Sequence, residues 1–130
     1  MGPSGALRRL WLWGPVVAYV VLIFYLSSLS QIPWAGGFPD FLEHGAEYLG
    51  LALLVARALN DGFRRPLLPR RLLAAFLMCL VCAVADEIWQ RFTPNRFSDY
   101  MDVLSDSGGA GLGLAALRLA QLILGREDAE

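Results

Sequence analysis

The sequence is poor in charged side chains, and all of its basic residues except one histidine are arginines. Its 130 residues contain no lysine, one histidine (His44) and two cysteines; 18% are charged, 56% are hydrophobic, and the mean hydropathy is +0.48. This balance is too apolar for a soluble domain of this length and indicates an integral membrane protein. A net charge of -1 without a basic patch excludes nucleic acid as a partner.

The motifs of several common enzyme classes are also missing. The sequence has no glycine-rich phosphate loop, no GxSxG and no HExxH. Cys79 and Cys82 have the CxxC spacing of redox or metal sites, but they lie in the middle of an apolar run without a polar neighbour. We therefore expect these two small, polarisable side chains to pack in a helix.

Four long apolar segments predict an all-α integral membrane four-helix bundle. A bilayer core about 30 Å thick needs about 20 helical residues per span. We expect spans at residues 10–29, 41–59, 72–89 and 103–124, within a single transmembrane domain that covers residues 1–130. Arg8 and Arg9 precede the first segment, as in a signal peptide, but the uncharged run is longer than a signal-peptide core, so we expect it to remain as a span.

The arginines predict the orientation of the bundle. Positive charge is retained in cytoplasmic loops, and nine arginines lie before the first span, at or in the second connection, or near the C-terminus, whereas only Arg91 and Arg96 lie in the third connection. Both termini are therefore predicted to be cytoplasmic, in a multi-pass protein of a bacterial-type cytoplasmic (inner) membrane. The lipid bilayer is its first expected partner.

The same topology gathers most of the acidic residues at the outer side. Eight of them fall there or just inside the outer leaflet: Asp40, Glu43, Glu47, Asp86, Glu87, Asp99, Asp102 and Asp106. Helical spacing aligns several with other polar side chains: His44, Glu47 and Tyr48 on the second helix, Asp86, Glu87 and Gln90 on the third, and Asp102 and Asp106 on the fourth. Since ionisable groups at membrane depth are costly unless paired or hydrated, we expect one outward-facing acidic pocket in the bundle interior.

These stretches resemble the VanZ-like family, small helical membrane proteins named for a member linked to teicoplanin resistance. The resemblance rests on "EHGAEYLGLALLVARAL", "ADEIWQRFTPNRFSDYMDVL" and the glycines of "DSGGAGLG", and it covers about residues 10–124. The matching pattern falls on His44, Tyr48, Asp86, Glu87, Gln90, Arg96, Asp102, Asp106, Gly109 and Gly113.

The chain departs from the family pattern at two positions. Members commonly carry Asn where this chain has Asp106, and this change adds an anionic group to an acidic pocket. Members commonly carry Gly where this chain has Asn95. Asn tolerates the left-handed backbone conformation that Gly would supply, so the second change is mild.

Three interpretations of the polar cluster remain open. The acids can form a purely structural network with His44, Tyr48, Gln90 and Arg96. They can instead line a site for a cell-wall or lipid-linked ligand, with a role in teicoplanin-type glycopeptide resistance as one form of this interpretation. In that site Arg91 and Arg96 hold a phosphate or carboxylate. Aromatic side chains line an apolar slot beside it: Tyr48, Trp89, Phe92 and Phe97. Trp34 and Phe38, in the opposite outer loop, cap the slot.

The third interpretation is a metal-dependent intramembrane hydrolase or transferase that acts on a lipid- or wall-linked phosphate. His44, Glu47, Asp86 and Glu87 offer nitrogen and oxygen ligands for a divalent metal, and Glu47 or Glu87 can serve as the base. Separately, the spacing of Gly109 and Gly113 permits close helix contact, and we expect this contact within the chain more than between chains.

Overall fold

The computed structural model describes residues 5–30, 37 and 39–127, with side chains described up to residue 124. It contains four α-helices: α1 (Gly5–Ser27), α2 (Asp40–Leu59), α3 (Pro69–Gln90) and α4 (Tyr100–Glu127). No strand occurs in the described ranges. The predicted all-α four-helix bundle is therefore confirmed, and each predicted segment overlaps one helix.

Local sequence explains where three of the helices begin. α2 follows Pro39 and has Asp40 and Glu43 in its first turn, where carboxylates interact favourably with the helix dipole. α3 begins with Pro69, whose missing N–H costs nothing at a first helical position. The backbone N–H of Met101 donates to Asp99 Oδ1 at 2.9 Å, which caps the start of α4.

Three of the helices are long and apolar enough to cross a membrane: Gly5–Ser27, Pro69–Gln90 and Tyr100–Leu124. α2 is more polar, because Glu43, Glu47 and Arg57 interrupt its apolar sequence. It packs against α1, α3 and α4 and, among the described side chains, has more buried residues than any other helix, so it is the most enclosed of the four. Its buried face comprises His44, Tyr48, Leu51, Ala52, Val55, Ala56 and Ala58.

The core surrounds this buried face of α2. Leu12, Val16 and Ile23 of α1 approach it from one side, and Ala75, Cys79 and Ala83 of α3 and Ala110 and Leu114 of α4 complete it. Cys79 is only 1% exposed, and Cys82 packs against the same core. Small residues on α3 and α4 allow the helices to approach α2 closely.

The two ends of the bundle differ in chemistry. At one end Arg8 of α1 pairs with Asp61 after α2, and Gln121 of α4 accepts from the Leu67 N–H before α3, so the start of α1 and the last turns of α4 lie there. The opposite end, here called the polar end, is formed by the last turns of α1 and α3 and the first turns of α2 and α4. It contains most of the predicted pocket residues.

Candidate functional site

A buried histidine–carboxylate pair joins α2 to α4 at the polar end. His44 Nδ1 lies 3.1 Å from Asp106 Oδ1, within hydrogen-bond distance. His44 Nε2 lies 3.9 Å from Asp102 Oδ2, beyond that distance. If Nδ1 carries the proton, it donates to Asp106, and Nε2 is left with a free lone pair beside Asp102. An acid that orients a histidine in this way is a frequent neighbour of metal ligands.

A second buried carboxylate joins α3 to α1. Asp86 Oδ2 accepts from Ser27 Oγ at 2.9 Å and from Gln90 Nε2 at 3.1 Å. Asp86 and Gln90 are 1% and 2% exposed, so water does not compete for these bonds. The bond from Ser27 holds the end of α1 against the last turn of α3, and the bond from Gln90 lies within α3 and orients the Asp86 carboxylate.

Three buried oxygens at or near this end have no hydrogen-bond partner among the described residues: Tyr48 Oη, Asp86 Oδ1 and Glu87 Oε1. Tyr48 is fully buried, and Glu87 is 7% exposed. Leaving such a group unpartnered costs about 1–3 kcal/mol, and more when the group is charged. The polar cluster therefore has hydrogen-bonding capacity that the protein's own side chains leave unused.

A small cavity of about 20 Å³ opens beside His44 at the polar end. This volume is enough for about one water molecule and too small for a glycan or a lipid head. Its charged lining contains three acids and one arginine, so it favours a cation over an anion. The lining residues are Leu26, Ser27, Asp40, Glu43, His44, Glu47, Gln90 and Arg96.

One group of side chains here can hold a metal ion. Asp40, His44 and Asp102 each offer a ligand atom, and these atoms lie within 4.8 Å of one another. We call these three residues the cation group. It shares only His44 with the predicted metal set. Of the other three predicted ligands, Glu47 lines the small cavity together with Asp40 and His44. Asp86 accepts from Ser27 of α1, and Glu87 lines a separate groove between α3 and α4.

The two arginines of the predicted phosphate site are already engaged. Arg96 Nε donates to the Leu29 carbonyl at 3.1 Å, and one terminal nitrogen of Arg96 lies 3.5 Å from the Leu26 carbonyl. Arg91 Nε donates to Ser98 Oγ at 3.1 Å within the exposed connection. Arg96 thus binds backbone carbonyls at the C-terminus of α1, which have no partner within the helix. The terminal nitrogens of Arg91 remain available to a ligand.

The predicted aromatic slot does not form. Tyr48 lies in the core, whereas Phe92 and Phe97 are 81% and 89% exposed. Trp89 lies beside α1 and donates its indole N–H to Ser28 Oγ at 2.9 Å. Exposed aromatic rings next to spans are typical of the membrane–water interface. The predicted cap, Trp34 and Phe38, lies outside the described residues.

Glycines bring α4 directly against α2. A Cβ atom on Gly109 would overlap the carbonyl of Gly45, and one on Gly113 would lie 3.1 Å from Leu49 Cγ. Both glycines therefore pack within the chain. In the connection before α4, Asn95 has φ 61°, the left-handed conformation that its sequence position suggested.

The comparison with protein families agrees with this arrangement. A family model described as VanZ/LLP1 matches residues 23–121. The chain belongs to the VanZ/LLP1 family. The matched part of this VanZ/LLP1 protein includes the whole polar end from the last turn of α1 to Gly113. Neither the curated proteins nor the solved structures include a match to the chain.

Sequence reasoning missed three polar-end residues of this VanZ/LLP1 protein. Ser27 bonds Asp86, Thr93 Oγ1 donates to the Ser27 carbonyl at 3.3 Å, and Asp40 completes the cation group. Asp40 was detectable, because it precedes His44 by four residues and so shares its helical face. Ser27 lies at the end of an apolar span, and nothing in the sequence identifies it as a partner of Asp86.

Proposed function

We propose that this VanZ/LLP1 protein binds the phosphorylated head of a lipid- or cell-wall-linked envelope ligand at its polar end. The observation that carries this proposal is the cation group at that end, where ligand atoms of Asp40, His44 and Asp102 lie within 4.8 Å of one another. The unpartnered buried oxygens on Tyr48, Asp86 and Glu87, at or near the same end, count against a purely structural network. A purely structural network would be expected to satisfy its own members, because buried polar groups in proteins are almost always hydrogen-bonded. Unused capacity at three places supports a site that a ligand completes.

The charge of the site determines how a phosphate can be held there. Acids outnumber arginines in the small cavity, and Arg96 is engaged by α1. A bare phosphate would be repelled by Asp40 and Asp102, whereas a divalent cation would be attracted by both. The proposal is therefore that a cation on Asp40, His44 and Asp102 bridges the protein to the phosphate, with Asp106 orienting His44.

The test combines metal content with ligand binding. The protein is purified in mild detergent without chelator, its metal content is measured by mass spectrometry, and binding of a radiolabelled polyisoprenyl phosphate is measured with and without EDTA. Asp102→Asn should lose the metal and weaken binding by about tenfold or more, since a ligand to the cation is removed. Asp99→Asn is the matched control, because Asp99 lies outside the cation group and Asn can still accept from the Met101 N–H.

Two outcomes would contradict the proposal. One is a wild-type protein that binds neither metal nor the phosphate lipid. The other is binding that is unaffected by EDTA and by Asp102→Asn. If Asp106→Asn retains the metal, the role assigned to Asp106 is supported, because an amide oxygen can also accept from His44 Nδ1.

A second candidate function is metal-dependent hydrolysis of the same phosphate linkage. It is favoured by the water-sized cavity, which is lined by both His44 and Glu47. A water there would be near the proposed cation, Glu47 would take its proton, and attack at phosphorus would break the bond to the lipid-side oxygen. The released alcohol would receive a proton from solvent or from Glu47.

Phosphate release distinguishes hydrolysis from binding alone. Wild-type protein with Mg²⁺ or Mn²⁺ should release phosphate from the polyisoprenyl phosphate, and Glu47→Gln should abolish release while the lipid remains bound. Binding without release in the wild type under every metal tested would exclude hydrolysis of this substrate and leave the binding proposal in place.

A contribution to teicoplanin-type glycopeptide resistance is the narrowest form of the proposal. It is supported only by the family name and by the envelope ligand proposed above. Expression of the wild type, but not of Asp102→Asn at an equal membrane level, should raise the teicoplanin concentration that a susceptible bacterium tolerates. No difference between the two would remove this narrower role.

A further inference from the structure

A groove on the side of the bundle lies between α3 and α4, next to the polar end. Its volume is about 470 Å³, within the range of small-molecule sites. The part of the groove next to the polar end is lined by polar side chains, and the part toward the middle of α3 is lined by apolar ones. We call it the α3–α4 groove; its lining residues are Val84, Glu87, Ile88, Arg91, Ser98, Tyr100 and Val103.

Glu87 distinguishes this groove from an ordinary lipid-facing surface. The residue lines the groove although it is 93% buried, because its exposed fraction is only 7%, and its Oε1 has no partner among the described residues. A buried carboxyl at membrane depth normally faces a partner or a polar cavity. This unpartnered oxygen is a sign, separate from the volume of the groove, that a polar group belongs beside Glu87.

Arg91 supplies the opposite charge at the same place. Its Nε donates to Ser98 Oγ, which fixes the guanidinium at the mouth of the groove, and its terminal nitrogens have no bond to another described residue. These nitrogens can hold two phosphate oxygens. Glu87 can accept from a hydroxyl attached to that phosphate.

The remaining lining suits a hydrocarbon chain. Val84 and Ile88, one helical turn apart on α3, are 43% and 50% exposed, and Val103 faces them from α4. They extend from Arg91 toward the middle of α3, the direction in which a lipid chain runs from its head into the bilayer. Val103 also follows Asp102 of the cation group, so the groove adjoins the proposed phosphate site.

We infer that the α3–α4 groove is the lateral entrance and chain-binding site for the ligand, which is a phosphate carried on a hydrocarbon chain. The chain lies along Val84, Ile88 and Val103, and the phosphate passes Arg91 and Glu87 before it reaches the polar end. This inference rests on the proposed function and deepens it, because it identifies the ligand as an amphiphile that arrives from the membrane.

Val84→Trp and Val21→Trp form a matched pair for the test. Val84 lies six residues before the end of α3, and Val21 lies six residues before the end of α1. The ends of these two helices meet at the polar end, so the two valines lie at similar depth. Both valines are exposed, at 43% and 62%, but only Val84 lines the groove. An indole at position 84 would occupy the volume that the chain needs, whereas one at position 21 would face lipid.

The full-length protein in detergent is assayed with the radiolabelled polyisoprenyl phosphate, with unlabelled phosphatidic acid and inorganic phosphate as competitors, and its metal content is measured in parallel. Val84→Trp should weaken binding by about tenfold or more, and Val21→Trp should not, while all samples retain metal. Arg91→Gln should weaken binding of the lipid with no loss of metal. Inorganic phosphate should compete poorly, because it lacks the chain.

The outcomes separate this inference from the proposed function. If Val84→Trp and Arg91→Gln bind the lipid as the wild type does while Asp102→Asn does not, the groove is not the chain-binding site, and the proposed site at the polar end remains supported. Equal competition by inorganic phosphate would also overturn the groove. A wild type that binds no phosphate lipid would defeat the proposed function, and the inference with it.

Discussion

Gly109 lies where the backbones of α2 and α4 come closest. Any side chain there would overlap the carbonyl of Gly45, which belongs to a helix and has no room to move. Gly108 is adjacent in sequence, and a Cβ there would meet nothing within 4 Å. Two neighbouring glycines therefore differ in what they contribute: one is required by packing, and the other only lowers the helix propensity of α4.

We predict that Gly109→Ala destabilises the protein by about 1–3 kcal/mol or more, since an added methyl group in a filled contact forces the helices apart. Gly108→Ala should be neutral or stabilising by up to about 1 kcal/mol, because alanine is the better helix former. Thermal unfolding in detergent, followed by tryptophan fluorescence, measures both. Equal melting temperatures for the two variants would contradict the close contact described above.

At the scale of the element, the C-terminus of α1 depends on the connection between α3 and α4. Arg96 donates to backbone carbonyls at the end of α1, Thr93 donates to the Ser27 carbonyl, and Trp89 donates to Ser28. The last carbonyls of a helix have no partner within the helix. A segment almost 70 residues away in sequence thus completes α1 and positions Ser27 against Asp86.

We predict that Arg96→Ala exposes the end of α1. Loss of charge-assisted hydrogen bonds worth about 1.5–3 kcal/mol should speed amide exchange around residues 26–30 by about tenfold or more. Hydrogen–deuterium exchange with mass spectrometry measures this. Arg91→Ala, in the same connection, is the control, because Arg91 bonds Ser98 and not α1.

The expected difference is local. Faster exchange in Arg96→Ala but not in Arg91→Ala supports the assignment. If both variants exchange alike at the end of α1, Arg96 does not hold that helix end.

At the scale of the whole molecule, the two ends of the bundle are chemically opposite. Arg8, Arg57 and Arg65 lie at the end where α1 begins, and Arg57 also stacks there on Trp11 with its guanidinium carbon 3.9 Å from the ring centre. The acids of the polar end lie across the bundle. The positive-inside rule therefore predicts that the polar end faces away from the cytoplasm.

Cysteine labelling measures this orientation. In a background without Cys79 and Cys82, a cysteine at Gly37 or Phe97 should react with a membrane-impermeant thiol reagent in intact cells, and one at Arg65 should react only after lysis. Phe97 is preferable to Asn95, because the positive φ of Asn95 would strain a cysteine. Labelling of Arg65→Cys alone in intact cells would reverse the predicted topology and place the polar end in the cytoplasm.

The sequence predicted the helices well, because long uncharged runs leave few alternatives in a bilayer. It also predicted one polar pocket containing both His44 and Asp106, since each lies near the start of a helix that begins at the same end, but it did not predict that these two side chains would contact each other. The sequence did not predict that the adjacent acids Asp86 and Glu87 would face different helices. Asp86 turns toward α1 and Glu87 toward α4, and that division depends on the rotation of α3, which packing determines and the apolar pattern does not.

The predicted role of Arg96 shows a second limit. The sequence indicates that Arg96 is free to bind a phosphate, but in the structure its guanidinium donates to the Leu29 carbonyl just after α1. Every residue has a backbone carbonyl, so the sequence does not show which of them accept from Arg96. Asp40 shows the opposite limit: its helical alignment with His44 is visible in the sequence, but eight acids fall at that side and spacing alone does not identify the one beside His44.

The polarity of α2 has a consequence for how the protein is made. The helix carries Glu43, Glu47 and Arg57 and is enclosed by the other three helices. A segment of this kind enters hydrocarbon poorly by itself, because each charged side chain raises the cost of insertion. During synthesis α2 is therefore expected to stay at the insertion machinery until α3 and α4 emerge. Insertion of α2 is then completed only when α4 packs against it. Truncation before α4 would leave a chain that quality-control proteases remove.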